Sequence, residues 1–310
     1  MGGVHHLDGV PICRSKAMGA GSNEPVLESN LLHILGPPAQ EEAADAPAVV
    51  HVSQEHPASA EALAGQLQSL ALAASGSLIL VIDATSTADM QRIAQATWML
   101  SPPPLLVGSA GLAAEIHPLL PASPRLSPPL PRRLVDHVVL AIGSQQGRSA
   151  KQTEALRHEM TLQEVRIRSA SSPAKTRCEV SQDGQVALFT TAPGPCPTPD
   201  DMAHSIDMLC AAAISHLDEV RARRSNRCSH LLPTMGLIAT GGWTLARLMQ
   251  QLEVQRITIR EAVSGTSALC HAEGGRLGEC WLVTKGGALG EDAVFVQSAQ
   301  RMLGARRGRL

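Results

Sequence analysis

Glycines follow strand-like apolar runs at three places in this sequence, an arrangement that can hold a chain of phosphates. The longest, Gly236 to Leu252, reads GLIATGGWTLARLMQQL. Leu237, Ile238 and Ala239 bring an extended backbone to Gly241 and Gly242, where the missing Cβ lets an anion approach closely. Leu245, Leu248, Met249 and Leu252 then recur at helical spacing. A helix starting there aims unpaired N–H groups and a partial positive charge at whatever sits over the glycines. Glu279 to Leu303 repeats the order, with ECWLVTK as a strand, Gly286, Gly287 and Gly290 in a loop, and EDAVFVQSAQRML as a helix. A third apolar run, from Val138, ends at Gly143 and Ser144 before a helix in which Thr153, Leu156 and Met160 share a face. Ligands of open α/β sheets sit beyond the carboxyl ends of the strands, so the three loops are expected to converge. One such loop alone is an ordinary tight turn; the repetition is what points to a ligand.

Charged and hydroxyl side chains at other strand ends extend the candidate set. Lys285 closes its strand, where it can neutralise phosphate or snorkel to water. In the first half, LILVIDA carries Asp83 at its end and PPPLLVGSAGLAAEI carries Ser109 at the end of an expected short strand. Both can touch a polyol or carboxylate substrate; Asp83 can equally cap a loop.

The elements that must position these residues follow an α/β rhythm. Val4 to Cys13 reads as a hairpin turning at Asp8-Gly9, and SNEPVLESNLLHILG as a turn and short helix. Ala48 to Ser53 is a strand, Ser59 caps a helix to Ala74, Leu78 to Ala84 is a buried strand, and Thr87 caps the next helix. Pro118 to Pro131 is crowded with prolines and reads as a stiff linker. Beyond it the pattern predicts strands over 138–142, 164–168 and 185–189, a helix near 149–160 and a long helix from about Asp200 to Arg223. The expected fold is α/β in two domains, each a mainly parallel sheet flanked by helices, the first truncated: residues 1–117, a linker 118–133, and a nucleotide-binding domain 134–310.

Composition removes several function classes. A formal net charge of −2 over 310 residues offers no nucleic-acid footprint, and no apolar run is long enough for a membrane helix. The seven cysteines are scattered without a C-x-x-C pair and read as reduced, cytoplasmic thiols. Cys228 with His230, and Cys270 with His271, match no zinc spacing, so no protein-bound metal is expected. MGGVHHLDGVPIC lacks the pattern of a secretion signal, and His6 breaks the myristoylation pattern. Neither a P-loop nor a protein-kinase motif set is present.

The wording of several stretches resembles the four-carbon acid sugar kinase family. The likeness rests on VGSAGLA at Val107 to Ala113, IGS at Ile142 to Ser144, IATGGWT at Ile238 to Thr244, EAVSG at Glu261 to Gly265 and VTKGGALG at Val283 to Gly290. The resemblance implies ATP-dependent phosphorylation of the terminal hydroxyl of a sugar acid of the 3-oxo-tetronate, threonate or erythronate type, with Mg²⁺ accompanying ATP. Carried over by position, it implies ATP contacts at Ser144, Gly241, Gly242, Trp243, Thr244 and Gly287; Lys285 as a phosphate contact, and Asp83 and Ser109 on the substrate side, rest on their strand-end positions alone. The small-molecule partners would be ATP and the sugar acid, and a homo-oligomer is compatible. The family's Asp-Asp-x-Thr-Gly-Ala and Asp-Ser-Thr-Leu-Arg-Gly segments are absent, and Trp243 stands where an acid is common. Two readings therefore stay open: an active kinase, and a truncated nucleotide-binding remnant of one.

Overall fold

The computed structural model describes residues 2–15, 18, 25–36, 46–53, 59–121, 129–143, 147–167, 178–179, 185–191, 199–225, 235–287 and 289–304. The chain divides into two compact units, Met1–Arg125 and Leu126–Leu310.

In the first unit, β1 (His6–Leu7) and β2 (Val10–Pro11) form the expected antiparallel hairpin. Asp8 and Gly9 both adopt positive φ, 51° and 78°, which matches the twist of a two-residue hairpin turn. After α1 (Leu31–Leu35), β3 (Ala48–Val52) and β4 (Leu78–Ile82) pair in parallel around α2 (Ala60–Ala73). The α2 start is capped by Ser59, as expected, its hydroxyl accepting from the Ala62 N–H. Ser86, rather than Thr87, caps α3 (Thr87–Trp98), because Asp89 three residues on completes a reciprocal capping box with it. Val52, Leu63, Leu67, Ile93 and Ala96 make the core of this unit.

The short strand expected before Ser109 does not form. Residues 103–109 run as irregular backbone into α4 (Ala110–Ile116), leaving Leu105 and Val107 92% and 87% exposed. Apolar content alone does not make a strand; a neighbour must take its main-chain hydrogen bonds.

The second unit is a sheet between two layers of helices. Its chain order is β5 (His137–Ile142), α5 (Gly147–Glu159), β6 (Leu162–Ile167), β7 (Cys178–Glu179), β8 (Val186–Thr191), α6 (Pro199–Ser225), β9 (Met235–Thr240), α7 (Gly242–Gln251), β10 (Arg256–Ser264), β11 (Ser267–Glu273), β12 (Glu279–Lys285) and α8 (Val294–Leu303). Across the sheet the order is β10-β11-β12-β9-β5-β8-β6-β7. The central pairs β12–β9, β9–β5, β5–β8 and β8–β6 are parallel, and the flanking pairs are antiparallel.

Strand alternation divides the core. Val139, Ala141, Leu237 and Ala239 pack under α6 and α7, while Val138, Leu140, Ile142, Ile238 and Val283 pack under α5 and α8. β5 and β9 are buried along their whole length, as central parallel strands must be. At Gly236 on β9 a Cβ would lie 2.8 Å from Met302 Sδ and 3.1 Å from a Val135 methyl, so the last turn of α8 seats directly on bare strand.

The hairpin β10–β11, turning at Gly265-Thr266, was not expected from the sequence. Pro131 and Arg132 are tied to this unit by Arg301, whose guanidinium also grips Glu261 on β10.

Candidate functional site

Three adjacent parallel strands, β5, β9 and β12, end at one edge of the second unit, and the glycine loops of the sequence follow them there. Ile142, Thr240 and Lys285 are the last residues of the three and lie in register. The Gly241 N–H donates to the Lys285 carbonyl at 3.1 Å, tying the second loop to the third. A Cβ on Gly143 would come 2.2 Å from Thr244 Oγ1, so the first loop lies hard against the opening turn of α7. Ser144 itself falls outside the described residues.

Gly241 stands at φ 88°, ψ 137°, a conformation open to glycine and strained for other residues, and it opens α7 without a side-chain cap. The first N–H groups of α7 therefore have no capping oxygen of their own. Gly242 has nothing within 4 Å of its missing Cβ, so it borders open space. Trp243 is half exposed beside it, whereas Thr244 is buried, its carbonyl accepting from Cys210 Sγ at 3.8 Å. Of the four residues expected to line the nucleotide here, Gly241, Gly242 and Trp243 face or border the opening and Thr244 packs behind it.

Behind the third loop lies a buried polar hub that the sequence did not disclose. Val283 and Ile238 face α5 and α8, so Lys285 and Thr240, two residues on, face the same way. The Lys285 ammonium is buried and donates to Gln152 Oε1 at 2.8 Å, to the Gly287 carbonyl at 3.1 Å and to the Leu289 carbonyl at 2.8 Å. It sits 5.3 Å from the Phe295 ring centre. Gln152, fully buried on α5, donates to the carbonyls of Leu289, Gly290 and Glu291 at 3.0 to 3.1 Å. Ser149 donates to the Gly287 carbonyl at 2.9 Å.

Lys285 thus neither snorkels to water nor presents an open ammonium; it donates to two carbonyls of the loop it precedes and to the Gln152 side chain. Burial, with the Arg148 charge adding to it, pushes its pKa down to about 8. The Thr240 hydroxyl is buried without a hydrogen-bond partner among the described residues, a site with spare polar capacity. These features fit a phosphate chain: backbone donors at α7, a Cβ-free approach at Gly242, an orphan hydroxyl and one nearby positive charge. Among the described residues no group of three or more His, Cys, Asp or Glu side chains could hold a metal ion.

In the first unit, Asp83 follows β4 and accepts from Gly2 N at 2.7 Å, Gly3 N at 3.1 Å and His51 Nε2 at 2.9 Å. Burial works to raise its pKa, but the His51 hydrogen bond and the two glycine N–H groups outweigh it and hold the carboxyl below its ordinary value. Ser109 is exposed and precedes α4 without making a side-chain cap.

Residues 1–116 match the sugar-binding N-terminal domain family. D-threonate kinase of Bordetella bronchiseptica is 25% identical over 231 residues, covering 72% of this chain and 52% of its own. Both matches are likenesses, and they agree with the resemblance to the four-carbon acid sugar kinase family. The aligned stretch spans about half the length of that kinase. Among solved structures, the Haemophilus influenzae protein HI1011 aligns with 97% of this chain and 70% of its own, at 17% identity and a TM-score of 0.56. A Salmonella typhimurium LT2 protein described as a putative tRNA synthase aligns with 90% of this chain and 64% of its own, at 18% identity and a TM-score of 0.56. These two likenesses concern the fold.

Proposed function

We propose that the chain is an ATP-dependent kinase acting on a four-carbon sugar acid, with the nucleotide held at the ends of β5, β9 and β12. The observation that carries this reading is the uncapped glycine start of α7, set beside two further glycine loops on adjacent parallel strands. Similarity to a D-threonate kinase supports the substrate class.

When bound, MgATP would supply the phosphoryl group to a hydroxyl of the sugar acid, with ADP and a proton as the other products. The N–H groups at Gly242 and Trp243 hold phosphate oxygens, Gly287 keeps the third loop close, and Lys285 contributes charge from behind. Ser144 belongs to the same proposed set, by its position after Gly143. Asp83 and Ser109 are the proposed contacts of the sugar acid. Cys13, Cys210, Cys270 and Cys280 are free thiols, which supports a cytoplasmic setting.

Gly242→Val is the informative variant. Its Cβ meets no protein atom and its φ is ordinary, so the fold is expected to melt within about 2 °C of wild type. The same Cβ enters the proposed phosphate space, and affinity for MgATP should fall at least tenfold. Gly241→Val would mix that effect with backbone strain. ADP release with D-threonate, D-erythronate and 3-oxo-tetronate, followed by a coupled assay, tests turnover; nucleotide binding without ADP release from any of them would leave a binding remnant.

A further inference from the structure

The hub behind the third loop has a geometric consequence. In a planar trans peptide the carbonyl of one residue and the N–H of the next point in opposite directions. Gln152 and Lys285 draw the carbonyls of Leu289, Gly290 and Glu291 inward. The N–H groups of Gly290, Glu291 and Asp292 are thereby turned outward, and among the described residues no acceptor takes them.

We infer that Gln152 and Lys285 are positioning residues for the nucleotide: they hold the carbonyls of Gly287, Leu289, Gly290 and Glu291 inward, so that the N–H groups of Gly290, Glu291 and Asp292 are offered to phosphate. This inference rests on the nucleotide reading of the same edge. An ordinary surface loop needs no such hub, because water satisfies its carbonyls. Here a fully buried amide and a buried ammonium, neither with a carboxylate partner in the hub, are spent on main-chain oxygens of one short segment.

The charge around Lys285 is sparse. Arg148 of α5 is the charge acting on it; Asp292, 4.0 Å from Arg148, and Glu291 are exposed ahead of α8. β9 and β11 present the hydroxyls of Thr240 and Ser267. As the pH passes through about 8, Lys285 loses a proton, a donor and the positive charge that favours an anion, so the hub loosens and phosphate binding weakens.

The test is calorimetric titration of the full chain with MgADP at pH 7.5 and pH 9.5. Wild type should bind at least threefold more weakly at the higher pH. Lys285→Met should bind at least fivefold more weakly than wild type at pH 7.5 and show a flat pH profile, which a merely structural role would not produce. Gln152→Leu should lose at least fivefold at pH 7.5. A flat wild-type profile, or wild-type affinity in Gln152→Leu, overturns the inference. Gly242→Val separates the two claims. If it abolishes binding while the hub variants bind normally, the nucleotide site stands and the hub's role falls; if wild type binds no MgADP, both fall.

Discussion

A lysine withdrawn from water must find acceptors for its hydrogens, and Lys285 finds one side-chain oxygen and two main-chain oxygens. Its folded pKa of about 8 lies below the ordinary 10.5. Between those values the unfolded chain holds the additional proton, so unfolding free energy rises with pH through this window. Below about pH 8 the penalty of burying the charge is present in full. Melting temperatures across pH 7 to 10 should therefore climb more steeply, or fall less, in wild type than in Lys285→Met; parallel curves would show that Lys285 is not the group responsible. The same deprotonation that stabilises the fold would weaken the proposed hold on phosphate, so stability and affinity are expected to move in opposite directions. This residue was legible in the sequence only as a strand-end cation. Its partner Gln152 was not legible at all, because nothing local to a helix shows which loop the helix will meet.

Between elements, the junction of the β5 loop with α7 is set by one missing methyl group. Gly143→Ala would place a Cβ 2.2 Å from Thr244 Oγ1 and should destabilise the second unit by about 1–3 kcal/mol. Adding Thr244→Ala removes the colliding oxygen, and chemical denaturation should show the double variant more stable than Gly143→Ala alone; additive losses would mean the two positions do not touch. The glycine loops could be read from sequence because their requirement is local, a sharp exit from a buried strand into a helix. β10–β11 also carries a readable pattern, RITIREAV and SALCHAE about a two-residue turn. β10 is an edge strand whose residues are largely exposed, so burial does not enforce its alternation and the pattern alone does not mark a strand. The expected strand before Ser109 failed for the opposite reason: its apolar residues are there, and among the described residues no strand takes up its backbone.

Across the whole molecule, two compact units invite two unfolding events. Trp98 reports on the first, and Trp243 and Trp281 on the second. MgATP at a hundredfold excess over its dissociation constant should stabilise the second by about 2.7 kcal/mol. In a Trp98→Phe chain the fluorescence melt should shift upward with nucleotide; an unshifted melt would remove the ligand from the second unit. Distance adds one more consequence. The last turn of α8 rests on Gly236 through Met302, and the first turn of the same helix emerges from the loop that Gln152 gathers. Ten residues of helix make a stiff rod of about 15 Å. Bulk added at 236 would push on one end of that rod, so the proposed phosphate edge at one margin of the sheet is coupled to a crowded glycine at the other, as a lever is to its fulcrum.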